Sequence, residues 1–155
     1  MNVQFHARAE HRLRLYVLCA CTALFFLRVI GQVEVLLRSP AWLPPMEDWY
    51  SGLLPYPVLL PAQIVLLMGM TAIVVTEAGE FGRRRVIERA WQPILRIAAL
   101  FYFAAMSLRL VIQFLRGAGD VIEAGGIPVA FHWVLALFLL VLGRAPAAMR
   151  RRGTS

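Results

Sequence analysis

Four apolar stretches, roughly Leu13 to Leu37, Val58 to Val75, Ile94 to Leu115 and Ile127 to Leu142, leave this chain little choice of solvent. Crossing a bilayer as a helix takes about 20 apolar residues, within a range of about 17 to 25, so the first and third stretches are comfortable and the fourth is short. Inside lipid each backbone N–H and C=O has to be satisfied by the spanning structure itself, and helices do that locally. The expected fold is therefore an all-α integral membrane protein: a single membrane domain of four transmembrane helices, arranged as two hairpins of the same orientation. Composition agrees, with 60% hydrophobic residues and a mean hydropathy of +0.67. Both lie far above soluble usage. The fourth helix is expected to open at Pro128, since a proline in the first turn gives up an N–H that has no partner there anyway.

Charge placement orients the helices. All 16 basic side chains are arginine. Arg8, Arg12 and Arg14 precede the first helix, Arg83, Arg84, Arg85 and Arg89 separate the second from the third, and Arg144, Arg150, Arg151 and Arg152 follow the fourth. The other two loops carry Arg38 and Arg116 together with Glu47, Asp48, Asp120 and Glu123. Basic residues concentrate on the cytoplasmic side of bacterial inner-membrane proteins, so both termini and the middle loop are expected in the cytoplasm. The basic pI of about 10.7 then reports topology and attraction to anionic lipid heads, not nucleic acid. A basic start leading into an apolar run resembles a signal peptide, but the run continues for about 25 residues with Arg28 inside it, which reads as an uncleaved span. Cys19 and Cys21 point to opposite sides of a helix, cannot bond to each other, and are expected to be buried thiols.

Within the apolar runs a polar pattern recurs. FFLRVIGQ places Arg28 and Gln32 four residues apart, and SLRLVIQF does the same with Arg109 and Gln113. The openings PVLLPAQIVLLMG and GIPVAFHWVLALF set Gln63 against His132. The two hairpins thus read as a parallel repeat about an axis along the membrane normal. Centring each span on its midpoint puts Arg28, Arg109, Gln63 and His132 in one layer on the outer side of the midplane, with Gln32 and Gln113 about one turn further out. Each arginine shares a helix face with its glutamine, and Tyr102, seven residues before Arg109, joins that stripe. His132 shares its face with Ala136 and Gly143, small residues that let a neighbouring helix approach closely.

An arginine near the bilayer centre costs about 2.5 to 3.5 kcal/mol on insertion scales, so it needs a partner or a polar cavity. Glu34 is the nearest carboxylate but lies off the arginine face, and its natural partner is Arg38 one turn on; a bridge from Glu34 to Arg109 is the competing structural reading. Without such a bridge, guanidiniums, amides and an imidazole face one another. That set suits an anionic or carbonyl-bearing amphiphile, a lipid phosphate, a fatty carboxylate or a quinone. His132 as a haem ligand would lack a second histidine at its depth, because His6 and His11 precede the span. The residues expected to hold a ligand are Arg28, Gln32, Gln63, Tyr102, Arg109, Gln113 and His132. Quinone and haem are the cofactors this chemistry admits.

The loop from Ser39 to Pro57 carries Trp42, Trp49, Tyr50 and Tyr56, residues that favour the headgroup layer, and is expected to lie along the membrane or to cover the arginine layer. Arg84 and Glu88 are spaced to pair on a short helix in the middle loop. GAGD at Gly117 to Asp120 follows no strand and so fails as a dinucleotide motif. No metal pair, nucleophile elbow or thiol couple is present in the sequence. The expected function is that of a small non-enzymatic membrane protein or complex subunit with an outer-leaflet Arg/Gln/His site. Its partners would be membrane lipids and a second membrane subunit or further copies of itself. The alternatives are a small transporter or channel using the same arginines, and a purely structural subunit of a larger complex.

Overall fold

The computed structural model of the chain describes residues 2–45, 49, 56–79, 91–117, 119–122 and 125–144. Four helices account for most of them: α1 (Asn2–Arg38), α2 (Tyr56–Ala78), α3 (Trp91–Leu115) and α4 (Gly126–Leu142). There is no strand among the described residues. The stretches Arg8–Arg38, Pro57–Ala78 and Trp91–Leu115 are long and apolar enough to cross a membrane, while α4, at 17 residues, is apolar and at the lower limit.

Helix ends differ from expectation for local reasons. The turns before Leu13 are polar but hold no glycine or proline, so α1 propagates back through them to Asn2 at little cost. At its other end Ser39 takes a left-handed φ of 43°, and both its N–H and its hydroxyl donate to the Val35 carbonyl before Pro40 stops the helix. Helix α4 starts two residues ahead of Pro128, which still lies in its first turn. Gly125, at φ 75°, turns the chain into it, and the Gly126 N–H donates to the Val121 carbonyl.

The distribution of side chains is inverted relative to a water-soluble protein. Leu24, Leu27, Ile64, Met68, Ile97, Phe101 and Leu108 are exposed, while Arg28, Gln32, Gln63 and Glu77 are buried. An apolar exterior of this extent is what hydrocarbon solvent permits and water does not.

Contacts between helices run in a row, α2 against α1, α1 against α4, and α4 against α3. Both hairpins are therefore formed, and α1 and α4 join them. A two-fold relating the hairpins would carry the contact between α1 and α4 onto α3 and α2, yet α2 and α3 make no close backbone approach among the described residues. Small residues set the tightest of these contacts. Ala99 and Ala136 are buried, and a Cβ at Gly143 would stand 3.0 Å from the Gln92 carbonyl oxygen and 3.2 Å from the Arg96 nitrogen at the start of α3. The close approach expected along the His132, Ala136, Gly143 face is thus present.

Two seven-residue repeats fix the level of α2 against α1. The buried seam of α1 runs through Arg14, Leu18, Cys21, Phe25, Arg28, Gln32 and Val35, and that of α2 through Gln63, Met70 and Glu77. Heptad seams of this kind mark helices crossing at a shallow angle. At one end Arg14 Nη2 lies 2.9 Å from Glu77 Oε1, and in the middle Cys21 and Met70 share one apolar cluster with Phe25 and Phe138. Two heptads beyond the ion pair on each helix, about 21 Å along the axis, Gln63 consequently stands level with Arg28. Of the two cysteines expected to be buried, Cys21 is and Cys19 is exposed. The seam repeat explains this, since a residue two before Cys21 lies on the opposite side of the helix.

Several expected features fall outside the described residues: the pair of Arg84 with Glu88, the middle-loop and C-terminal arginines beyond Arg144, and Glu47, Asp48, Tyr50 and Glu123.

Candidate functional site

Seven residues were expected to form the site, and the structure groups three of them, Tyr102, Arg28 and Arg109, around a fourth, His132. On α4, the His132 Nδ1 is hydrogen-bonded to the Tyr102 hydroxyl of α3, with the two rings edge to face at 5.5 Å. Arg28 from α1 and Arg109 from α3 both stand within electrostatic range of His132, and Arg28 within range of Tyr102. Three helices thus converge on the imidazole. The hydroxyl can donate to Nδ1 of one imidazole tautomer, which carries its N–H on Nε2, or accept from Nδ1 of the other. One residue on in each helix, Phe103 and Trp133 lie 5.6 Å apart and the indole N–H donates to Ser107, which locks the same two helices in register.

Arg28 is 7% exposed, and its guanidinium sits over the Phe131 ring, 5.2 Å from the centroid. A desolvated cation on an aromatic face gains about 2 kcal/mol, which offsets much of the burial cost without neutralising the charge. Its Nε makes no hydrogen bond among the described residues. The competing reading, a bridge from Glu34 to Arg109, is absent from the structure: Glu34 accepts from Arg38 at 2.8 Å, as the helix spacing favours.

The glutamines behave differently from one another. Gln32 is wholly buried and Gln63 is 5% exposed, and neither the oxygen nor the nitrogen of either amide has a hydrogen-bond partner among the described residues. Leaving such a group unsatisfied costs about 1 to 3 kcal/mol. Gln113 is half-buried at the last turn of α3, four residues past Arg109, and joins no described hydrogen bond of the cluster.

Trp49 enters this region from the loop after α1. The indole is buried, donates from Nε1 to the Pro44 carbonyl at 3.1 Å, and lies against Gly31, where an added Cβ would come within 2.9 Å of its ring. Gly31 precedes Gln32 and follows Arg28 by one turn, so the ring covers the flank of the arginine layer. Trp42, by contrast, is 77% exposed, as an interface anchor would be.

The opposite end of the molecule holds an ion cluster that sequence reasoning missed. Arg14 pairs with Glu77 and also donates to the Arg144 carbonyl at 2.7 Å, tying α1 to the ends of α2 and α4. The heptad spacing of Gln63, Met70 and Glu77 was the available signal. Elsewhere an apolar groove of about 830 Å³ runs between the outer faces of α1 and α2, lined by Cys19, Thr22, Phe26, Met68 and Thr71 among others. Its threonine hydroxyls donate to their own helices, and none of the seven site residues lines it. No cluster of three or more His, Cys, Asp or Glu side chains suited to a metal occurs among the described residues.

Comparison with protein-family models, with curated proteins and with solved structures returns no match.

Proposed function

We propose that this chain is a small, non-enzymatic, multi-pass protein of a bacterial cytoplasmic membrane, with both termini in the cytoplasm, and that its outer-leaflet Arg/Gln/His layer holds an anionic or quinone-like amphiphile. One observation carries the reading: Gln32 and Gln63, level with or one turn from Arg28, bury amides that bond to nothing among the described residues. Buried polar groups in native proteins are nearly always satisfied, and the exceptions concentrate where something else binds. Oxygen-rich headgroups match these donors, and the apolar surroundings match a hydrocarbon tail.

Native mass spectrometry of the full chain released from mild detergent tests it, run beside Gln32→Leu with Gln63→Leu. A defined adduct is expected on the wild type and is expected to vanish from the double variant, while the variant's ligand-free stability rises by about 1 to 3 kcal/mol for each amide removed. A bare wild-type chain whose stability is unaffected by the substitutions would sink the proposal. The missing approach of α2 to α3 favours a second reading, in which a partner subunit or another copy completes the ring. The same spectra read it as a complex of higher mass.

Orientation rests on the arginine distribution. In a background with Cys19→Ala and Cys21→Ala, a membrane-impermeant maleimide added to intact cells is expected to label Ser39→Cys and to spare Glu10→Cys. The reverse pattern would place the arginine layer in the inner leaflet.

A further inference from the structure

A charged and a neutral headgroup make different demands on the Arg/Gln/His layer. We infer that the ligand is an oxyanion headgroup, carboxylate or phosphate, seated on the Nε edge of Arg28 between the Gln32 and Gln63 amides; the inference rests on the proposed function and narrows it.

Charge balance comes first. Glu34 is engaged by Arg38, Glu77 by Arg14, and the Asp120 carboxylate accepts the Ile122 N–H in an exposed turn. No described carboxylate lies within ion-pair distance of Arg28, whose guanidinium rests on the Phe131 face. A ring attracts a cation through its quadrupole but supplies no counter-charge. A quinone, being neutral, would leave the buried positive charge as it stands, whereas an anion cancels it in a low-dielectric setting where that counts most.

Geometry points the same way. The Nε–H and the Nη–H beside it form a planar two-donor edge, spaced for the two oxygens of a carboxylate or phosphate. In Arg28 the Nε member of that edge is buried and bonded to nothing among the described residues. Gln32 follows one turn on along the same seam and Gln63 faces it at the same level from α2, so each can add an N–H to an oxygen that the guanidinium holds. The amide oxygens then distinguish the candidates, because a singly protonated phosphate can donate to one of them and a carboxylate cannot.

The test uses the full chain, delipidated in dodecyl maltoside, with radiolabelled oleate, dioleoyl phosphatidate, inorganic phosphate and a decyl-chain benzoquinone as probes. Wild type is expected to bind at least one oxyanion probe. Arg28→Lys, which keeps the charge but loses the fork, is expected to weaken that binding at least tenfold, and quinone binding is expected to be absent or independent of Arg28. Oleate alone, phosphatidate alone or inorganic phosphate alone would each support the inference and name the source. Gln32→Glu provides a check that does not require removing the arginine: its carboxylate sits one turn from Arg28, should occupy the edge from within, and should abolish oxyanion binding with the helical fold retained. Arg28-dependent binding of the quinone with no oxyanion binding would overturn the inference and leave the proposed function standing. Binding of no probe to any form would end both.

Discussion

Replacing Glu77 by leucine is expected to lower the unfolding free energy by about 3 kcal/mol, read by SDS titration of the detergent-solubilised chain with far-UV circular dichroism. The figure follows from burial: the Arg14 and Glu77 side chains are 15% and 11% exposed and meet at 2.9 Å, and removing one member of a buried pair typically costs about 3 to 5 kcal/mol because the other charge is stranded. The low end applies because Arg14 keeps its bond to the Arg144 carbonyl. Replacing both residues, Arg14→Met with Glu77→Leu, is expected to recover most of the loss, since apolar substitutes for a buried pair are close to neutral. A loss under about 1 kcal/mol for the single variant would show a screened surface contact. It would also remove the anchor from which Gln63 is placed level with Arg28.

Much of this was legible in the sequence, and the part that was not has a common cause. Apolar length alone marks the helices, and four-residue spacing within one helix predicts both the Glu34 to Arg38 pair and the shared seam of Arg28 and Gln32. These are local relations. Arg14 and Glu77 are 63 positions apart, and pairing them requires the register between two helices, which the heptad at Gln63, Met70 and Glu77 carries but hydropathy hides. Trp49 on Gly31 and Phe131 beneath Arg28 are likewise contacts between elements. The order of helices in the row was the least legible. Phe25 is buried and Phe101 is exposed, yet in lipid both faces are hydrocarbon, so polarity does not tell an inner face from an outer one. Only the buried polar side chains break that degeneracy, which is why they mark a candidate layer and leave the packing of α2 relative to α3 undetermined.

Arg28→Met offers the sharpest decision, because the two accounts of the arginine predict opposite signs. If Arg28 is a ligand group with no counter-charge inside the chain, methionine removes a burial cost of about 2.5 to 3.5 kcal/mol and forfeits about 2 kcal/mol of contact with Phe131. The flexible thioether regains part of that against the same ring. The ligand-stripped variant is therefore expected to be more stable than the stripped wild type by about 1 to 2 kcal/mol. If Arg28 instead belongs to an internal ion pair, the same substitution strands its partner and costs about 3 to 5 kcal/mol. Under the ligand account alone, adding ligand should reverse the order of stabilities. At one hundred times its dissociation constant a ligand adds about 2.7 kcal/mol to a protein that binds it and nothing to one that does not. Wild type would thus overtake Arg28→Met only in the presence of the amphiphile, a crossing that a purely structural arginine has no means to produce.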